Sequence, residues 1–427
     1  MHKPHLRPLD TATTSRRRLL TGLLSSLALP GLVRAQPAAP RIVVIGGGWG
    51  GLAAARRLRQ QQPDAEVLLI DANPAFTSLP LSNRWLVGLP PATLMQQDYT
   101  QIAARQGYRF LQARVTGIDP TQRHVHLGSI RLSYDWLIVA AGIEEDFSPW
   151  FGQDTATAEQ MRQTSPSGFT GLTSLQALKA ALARFTGGTL LMNLPPAPYR
   201  CPPAPYERAV LLADWLSRTQ SSAHLVILDP NPPMPAFERV FRDTYRHMIT
   251  YVPQAAIRQI DPGRQRISTE FDTVDYKQAI LMPPQRAARL SQESGFCERD
   301  GWAKVNPDSL QWPDDERIFL IGDQVGRISP LFGAYPKTGQ MAARQGHLAA
   351  DHISARIKGH ATPAELPDST CQIIQRAMPL EMLRIDTRYR RRGDGLIQQQ
   401  VTQRHNPQPD DDDLRWAMAM YGELGLG

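Results

Sequence analysis

The alternation of apolar runs and polar stretches from residue 41 onward predicts a strand, a helix and a second strand. Arg41–Ile45 is a short β-branched run of the kind found in buried parallel strands. Residues 52–60 are rich in Ala, Leu and Arg and predict a helix, and Glu66–Asp71 predicts the next strand. This order indicates a βαβ unit with parallel strands.

Apolar runs further along the chain predict more strands of the same type. Residues 134–142 and 317–323 each form such a run and end in small residues or in Gly-Asp. Residues 187–193 and 224–229 predict a second βαβ unit. The predicted fold class is therefore α/β, with two Rossmann-like dinucleotide-binding domains of the glutathione-reductase type and a small C-terminal module.

A glycine-rich turn joins the first predicted strand to the first helix. Gly46, Gly48 and Gly51 fit the pattern G-x-G-x-x-G, and Asp71 ends the second strand 20 positions after Gly51. Such glycines allow a tight turn and a close approach of the backbone to a pyrophosphate, and the acid accepts hydrogen bonds from a ribose. Together they predict a dinucleotide site.

The segments around residues 140 and 320 indicate FAD as that dinucleotide. In flavoproteins of the glutathione-reductase type, strands ending in small residues and in Gly-Asp close the FAD domain, and the acid binds the ribityl chain. A helix that begins near residue 338 would direct its positive N-terminus at the flavin. The candidate cofactor-binding residues here are Ala141, Gly142, Gly322, Asp323, Lys337 and Thr338.

The second βαβ unit lacks the loop that would bind NAD(P)H. The residues after its first strand, 194–208, are rich in proline where a glycine-rich loop would be needed. Proline fixes φ and removes an N–H donor, so this loop cannot surround a pyrophosphate. The sequence therefore predicts that electrons reach the flavin from another donor.

The first 35 residues predict a twin-arginine signal peptide and export to the periplasm. Residues 15–20 read SRRRLL, and an apolar run of about 14 residues follows, which is shorter than the ~20 needed to span a bilayer. Of the formal net charge of +7, these residues carry +5, so the rest of the chain does not indicate a nucleic-acid partner. No other stretch predicts an integral membrane segment.

The chain contains three cysteines, Cys201, Cys297 and Cys371. None lies in C-x-x-C-H and none has metal-site spacing, so we expect neither an attached haem nor a metal. Export would allow a disulfide to persist. One structural disulfide with one buried free thiol remains an open interpretation at this point.

The loop at residues 195–208, which contains Arg-Cys-Pro-Pro-x-Pro-Tyr-Glu-Arg, closely resembles the flavoprotein subunit of flavocytochrome c sulfide dehydrogenase. Residues 283–286, 322–323, 336–339 and 369–371 resemble it too, and the resemblance runs from about residue 40 to Cys371. It implies a redox-active Cys201–Cys371 disulfide beside FAD, sulfide as the substrate and a c-type cytochrome as the partner. Glu207 is a candidate proton relay; the alternative is a surface ion pair with Arg208 or Arg200.

Two departures from that family carry predictions of their own. Where the family has a cysteine that bonds the flavin covalently, this chain has Leu79, so FAD should be bound without a covalent link. After Cys371 the chain no longer resembles the family, and its charge runs, Arg388 to Arg392 and Asp410 to Asp413, predict solvated loops.

The predicted organisation is a signal peptide over residues 1–35 and an FAD domain over 36–160 and 297–357. A unit like an NAD domain, without its NAD loop, covers 161–296, and a C-terminal module near the flavin covers 358–427. The expected activity is sulfide:cytochrome c oxidoreductase. The alternatives are a sulfide:quinone oxidoreductase, for which only residues 414–420 could dock on a membrane, and a non-catalytic FAD-binding accessory subunit.

Overall fold

The structure, a computed structural model, describes residues 39–219, 222–362 and 364–426. The predicted signal peptide lies outside these ranges. The strands are β1 (Arg41–Ile45), β2 (Glu66–Asp71), β3 (Ala75–Thr77), β4 (Gln96–Asp98), β5 (Arg109–Gln112), β6 (Gly117–Asp119), β7 (His124–Leu127), β8 (Ile130–Ser133), β9 (Trp136–Val139), β10 (Ile143–Glu145), β11 (Gly188–Asn193), β12 (Ala223–Asp229), β13 (Ile249–Pro253), β14 (Gln259–Asp261), β15 (Arg266–Ser268), β16 (Thr273–Asp275), β17 (Gln278–Ile280), β18 (Gln285–Ala287), β19 (Gln311–Trp312), β20 (Asp315–Leu320), β21 (Arg327–Ser329), β22 (Gly333–Ala334), β23 (Ser369–Arg376), β24 (Glu381–Arg391) and β25 (Ile397–Asn406). The helices are α1 (Trp49–Gln61), α2 (Ser82–Leu86), α3 (Tyr99–Gln106), α4 (Ser148–Phe151), α5 (Thr155–Thr164), α6 (Leu172–Arg184), α7 (Ala204–Thr219), α8 (Pro235–Asp243), α9 (Arg289–Glu293), α10 (Gly339–Lys358) and α11 (Asp412–Glu423).

The first βαβ unit is the centre of a six-stranded sheet. Its strand order is β19-β20-β9-β1-β2-β5, and every neighbouring pair except β19–β20 is parallel. β1 is flanked by β9 and β2, and its apolar residues are fully or almost fully buried because helices cover the sheet. This arrangement places the carboxyl ends of five parallel strands beside one another, where α/β proteins bind dinucleotides.

The second βαβ unit forms a parallel sheet of its own. Its order is β13-β12-β11-β17, and β11 pairs with both β12 and β17. α7 packs on this sheet with its apolar face, which includes Val210, Leu212 and Leu216. The predicted α/β class with two Rossmann-like units is confirmed. The residue boundaries of the domains stay predictions.

The C-terminal module is an antiparallel sheet followed by a helix. β23, β24 and β25 pair in that order, and Cys371 in β23 lies opposite Ile385 in β24. The prediction of solvated loops for the charge runs holds only in part. Asp410 and Asp411 are exposed and precede α11, whereas the exposed Arg388 lies within β24 and Asp413 lies within α11. Asp413 is 2% exposed, so the last residue of the acidic run is buried. Among the described helices, none has the length and apolar character to cross a membrane.

Candidate active site

A cavity of about 660 Å³ lies where the loops after β1, β2, β9 and β20 meet the C-terminal module. Its wall contains every predicted site residue except Gly51, which lies one position behind the lining residue Gly50. The lining residues among those predicted are Gly46, Gly48, Asp71, Ala141, Gly142, Cys201, Glu207, Gly322, Asp323, Lys337, Thr338 and Cys371. Residues predicted to bind a cofactor and residues predicted to do chemistry therefore share one space.

The glycine turn has the shape that a dinucleotide pyrophosphate requires. Gly46 has a φ of +95°, and a Cβ there would lie 2.3 Å from the carbonyl oxygen of Ala140. A Cβ on Gly51 would lie 1.8 Å from the carbonyl oxygen of Gly46, so this glycine lets α1 approach β1. A Cβ on Gly48 would meet nothing within 4 Å. The space over Gly48, at the N-terminus of α1, fits a phosphate group.

Two acids in the cavity wall have the positions that a flavin dinucleotide needs. Asp71 accepts hydrogen bonds from the backbone N–H groups of Gly47 and Asn73, each at 2.7 Å, so its carboxylate is fixed beside the turn. Asp323 accepts a hydrogen bond from Arg200 through Oδ2 at 2.7 Å. Its Oδ1 is buried and has no partner among the described residues, as expected for an acceptor that awaits a ribityl hydroxyl.

Lys337 and Thr338 lie near Asp323 in the cavity wall. The ammonium group of Lys337 donates to the carbonyl oxygens of Asp323 at 2.8 Å and Val325 at 2.7 Å, and it lies 3.7 Å from the centre of the Trp302 ring. Burial lowers the pKa of Lys337 to about 7. Thr338 caps α10, because its Oγ1 accepts a hydrogen bond from the N–H of Met341 at 3.2 Å. The N-terminus of α10 thus opens on the cavity, and the residues present fit FAD.

Cys201 and Cys371 reach this cavity from different parts of the chain. Cys201 follows β11 with a φ of +48°, and its N–H donates to the carbonyl oxygen of Lys337 at 2.8 Å. Cys371 is 7% exposed and comes from β23. All three cysteines are in described segments, and each is a free thiol. Cys297 does not line the cavity; its backbone forms an isolated bridge with Ala303.

Burial disfavours the thiolate form of both cavity cysteines. It raises the pKa of Cys201, and the nearby Cys371 and Glu207 raise it further. Burial also raises the pKa of Cys371 to about 12, with a further contribution from Glu207. A thiolate formed in this cavity is therefore unfavourable unless a positive charge stabilises it or a nearby proton donor neutralises it.

Glu207 is held between α2 and β23. Its Oε2 accepts a hydrogen bond from Asn83 Nδ2 at 2.7 Å, and its Oε1 accepts one from the N–H of Ile374 at 2.8 Å. Burial raises the pKa of Glu207 to about 7. The alternative of a surface ion pair is not formed, because Arg208 donates to Asn83 and to backbone carbonyls while Arg200 pairs with Asp323.

The proline loop is fixed where a second dinucleotide would lie. Asn231 accepts a hydrogen bond from the N–H of Ala197 at 2.8 Å and donates to the carbonyl oxygen of Pro195 at 2.9 Å. Asp229 ends β12, the position of a ribose-binding acid, yet it is fully buried. The hydroxyls of Tyr206 at 2.5 Å and Tyr251 at 2.7 Å donate to its Oδ2. The Asp229 carboxylate is therefore engaged by protein hydroxyls and is not available to a ribose.

Comparisons with known proteins agree with this geometry. Residues 175–283 match the family model for the central part of the flavoprotein chain of sulfide dehydrogenase (flavocytochrome c), and residues 40–181 match the model for pyridine nucleotide-disulphide oxidoreductases. The mitochondrial sulfide:quinone oxidoreductase of Mus musculus is 22% identical over 302 residues, or 66% of this chain and 65% of that protein. The chain thus spans just under two thirds of this relative's length.

Solved structures share the fold. The sulfide:quinone oxidoreductase of Aquifex aeolicus is 19% identical, with a TM-score of 0.69 over 91% of this chain and 89% of its own. Reduced CoADR-RHD of Bacillus anthracis is 15% identical, with a TM-score of 0.65 over 90% of this chain and 74% of its own. The predicted resemblance to the flavocytochrome c flavoprotein is confirmed. The matches and the residues of the cavity wall together identify this chain as an FAD-binding protein.

The sequence analysis missed several residues of this flavoprotein's cavity. Arg84, Asp413 and Trp416 line it, the last two from α11 in the tail that no longer resembles the family. Leu79, predicted at the place of a covalent cysteine, also lines the cavity. One signal could have revealed the helix: Ala417, Met420 and Tyr421 are apolar at spacings of three and four, which is typical of a buried helical face.

Proposed function

We propose that this flavoprotein oxidises sulfide, or a related reduced sulfur compound, at a Cys201–Cys371 redox disulfide and passes the electrons through FAD to a c-type cytochrome. One observation carries the proposal: both cysteines and Glu207 line the same cavity as the residues that fit FAD. Cys297, the remaining cysteine, lies outside that wall.

In the proposed reaction, Cys201 and Cys371 are the protein groups that form and break bonds. HS⁻ attacks one cysteine sulfur; a bond forms between substrate and that cysteine, the bond between the two cysteines breaks, and the other cysteine leaves as a thiolate. A second HS⁻ removes the outer sulfur as HSS⁻ and leaves one thiol and one thiolate. These two groups then give up two electrons and one proton as the disulfide forms again. When bound, FAD supplies a two-electron acceptor that can release electrons singly.

Glu207 is the proposed carrier of that proton. Both thiol pKa values are raised by burial, so a thiolate in this cavity is unfavourable without a nearby proton donor. A carboxyl group with a pKa of about 7 is present in both protonation states near neutral pH, which suits proton exchange in either direction. Its hydrogen bonds to Asn83 and Ile374 hold it in place.

Export belongs to the proposal, because residues 1–35 carry the twin-arginine pattern. A periplasmic enzyme would meet c-type cytochromes, in agreement with the flavocytochrome match over residues 175–283. Fractionation of cells that produce the full chain tests this point. Replacing Arg16 and Arg17 by lysine should keep the protein in the cytoplasm, and an unchanged periplasmic fraction would contradict the export proposal.

A quinone acceptor is the second candidate, because the matched relatives include sulfide:quinone oxidoreductases. The segment we considered for membrane docking, residues 414–420, points against it. Ala417 and Met420 are buried, and of its large apolar side chains only Met418, at 58%, is strongly exposed. The apolar face of this helix packs on the protein, which leaves little apolar surface for a membrane.

Turnover of the purified holoprotein distinguishes the candidates. Sulfide-dependent reduction of cytochrome c supports the proposal, preference for a soluble quinone supports the second candidate, and no turnover with either supports an accessory subunit. Cys201→Ser and Cys371→Ser should each abolish flavin bleaching by sulfide while FAD stays bound. Cys297→Ser is the matched control and should react at the wild-type rate. Bleaching by sulfide in either cavity-cysteine variant would refute the disulfide mechanism.

A further inference from the structure

A buried ion pair joins the first segment of the chain to its tail inside the cavity wall. Arg84 of α2 donates to Asp413 of α11 through Nε at 2.5 Å and through a terminal nitrogen at 2.8 Å. The two side chains are 8% and 3% exposed. Both residues line the cavity, together with Glu207.

Stability alone is a poor reason for such a pair. Removing two charges from water costs several kcal/mol, and apolar replacements for buried ion pairs are often neutral or stabilising. Burial does raise the pKa of Asp413, and the contact with Arg84 opposes that rise. The pair therefore keeps two opposite charges in a place where water does not screen them well.

The charges of Arg84 and Asp413 both affect the ionisation of Glu207. Asn83, which precedes Arg84 in α2, donates to Glu207 Oε2 at 2.7 Å and also holds the carbonyl oxygen of Ala204 at 3.0 Å. Apart from burial, which dominates, Asp413 raises the pKa of Glu207 and Arg84 lowers it. The other charged or titratable groups that face Glu207 are Cys201 and Arg208 on the α7 side and Cys371 on β23.

We propose that Arg84 and Asp413 act as a charge-balanced positioning pair, which anchors α2 to α11 beside Glu207 and sets how readily Glu207 exchanges its proton. Neither residue is assigned to contact substrate. The inference rests on the proposed function in one respect, the use of Glu207 as the proton carrier. It differs from a purely structural role because it predicts opposite effects from the loss of each charge.

The signs follow from electrostatics. Asp413→Asn leaves the positive charge of Arg84 unbalanced beside Glu207, which favours the carboxylate and moves its ionisation to lower pH. Arg84→Gln leaves two carboxyl groups near each other, so the pH at which both are ionised rises. Removing both charges together restores the balance, and the double variant should titrate near the wild-type pH.

The experiment is a pH titration of the carboxyl infrared bands in the holoprotein, with the Glu207 band identified by its loss in Glu207→Gln. We expect shifts of about one pH unit in opposite directions for Asp413→Asn and Arg84→Gln. Arg84→Lys keeps the positive charge and should titrate near wild type. Arg57→Gln is the matched control, because Arg57 forms a two-point ion pair with Asp351 outside the cavity wall, and it should shift nothing.

The pH profile of sulfide bleaching is measured on the same variants. Shifts in one common direction, an absence of shift, or a double variant that stays displaced would overturn the proposal even if sulfide turnover is intact. Conversely, an enzyme that does not react with sulfide refutes the proposed function, while opposite infrared shifts would still support the pairing. If one single variant does not fold, the other decides, because a shift in its stated direction supports the proposal and an unchanged titration overturns it.

Discussion

Gly51→Ala is expected to damage both the fold and the cofactor site. A Cβ at this position would lie 1.8 Å from the carbonyl oxygen of Gly46. Ordinary contact begins near 3.4 Å, so α1 and the glycine turn must separate by roughly 1.5 Å. Overpacking of this kind costs about 1–3 kcal/mol, against a gain of up to about 1 kcal/mol from the helix preference of alanine. We therefore expect a net loss of about 1–2 kcal/mol of unfolding free energy.

Gly48→Ala is the matched control for that substitution. Gly48 has an ordinary φ of −68°, and an added Cβ would meet nothing within 4 Å of protein. The stability of the flavin-free protein should therefore change by less than about 0.5 kcal/mol. The methyl group would instead occupy the space in which the pyrophosphate approaches the backbone, so FAD binding should weaken.

Chemical denaturation of the flavin-free proteins and fluorescence titration with FAD measure the two effects separately. The expected pattern is loss of stability and binding in Gly51→Ala, and loss of binding alone in Gly48→Ala. An alanine at Gly51 that leaves both quantities unchanged would show that α1 can move away from β1 without cost. FAD affinity unchanged in Gly48→Ala would remove the phosphate from the place where the glycine turn puts it.

Two further predictions concern the flavin and its reductants. Because Leu79 stands where a covalent link would require cysteine, acid precipitation should release all the yellow colour, and colour kept in the pellet would contradict non-covalent binding. NADH and NADPH should not bleach the bound FAD, because prolines occupy the second loop and Asp229 is held by Tyr206 and Tyr251; rapid bleaching in a stopped-flow mixture would contradict this.

The local pattern of the chain was sufficient to predict the first βαβ unit. Strand β1, the glycine turn and α1 are contiguous, and the requirements of each act within a few residues: β-branched side chains for a buried strand and small residues for a tight turn. For the same reason the proline-rich loop could be recognised as unable to bind a dinucleotide. These features were predicted within a few residues of their observed bounds.

Residues far apart in the chain could be related only by the tertiary structure. Spacing does not tell which cysteine shares a cavity with Cys201, and the resemblance rather than the pattern pointed to Cys371. The hydrogen bonds that satisfy Asp229 include one from a tyrosine of β13. The burial of Asp413 could not be predicted from the acidic run, because its partner Arg84 is 329 positions away. A charge run is normally exposed, and only a partner brought by folding makes its burial favourable.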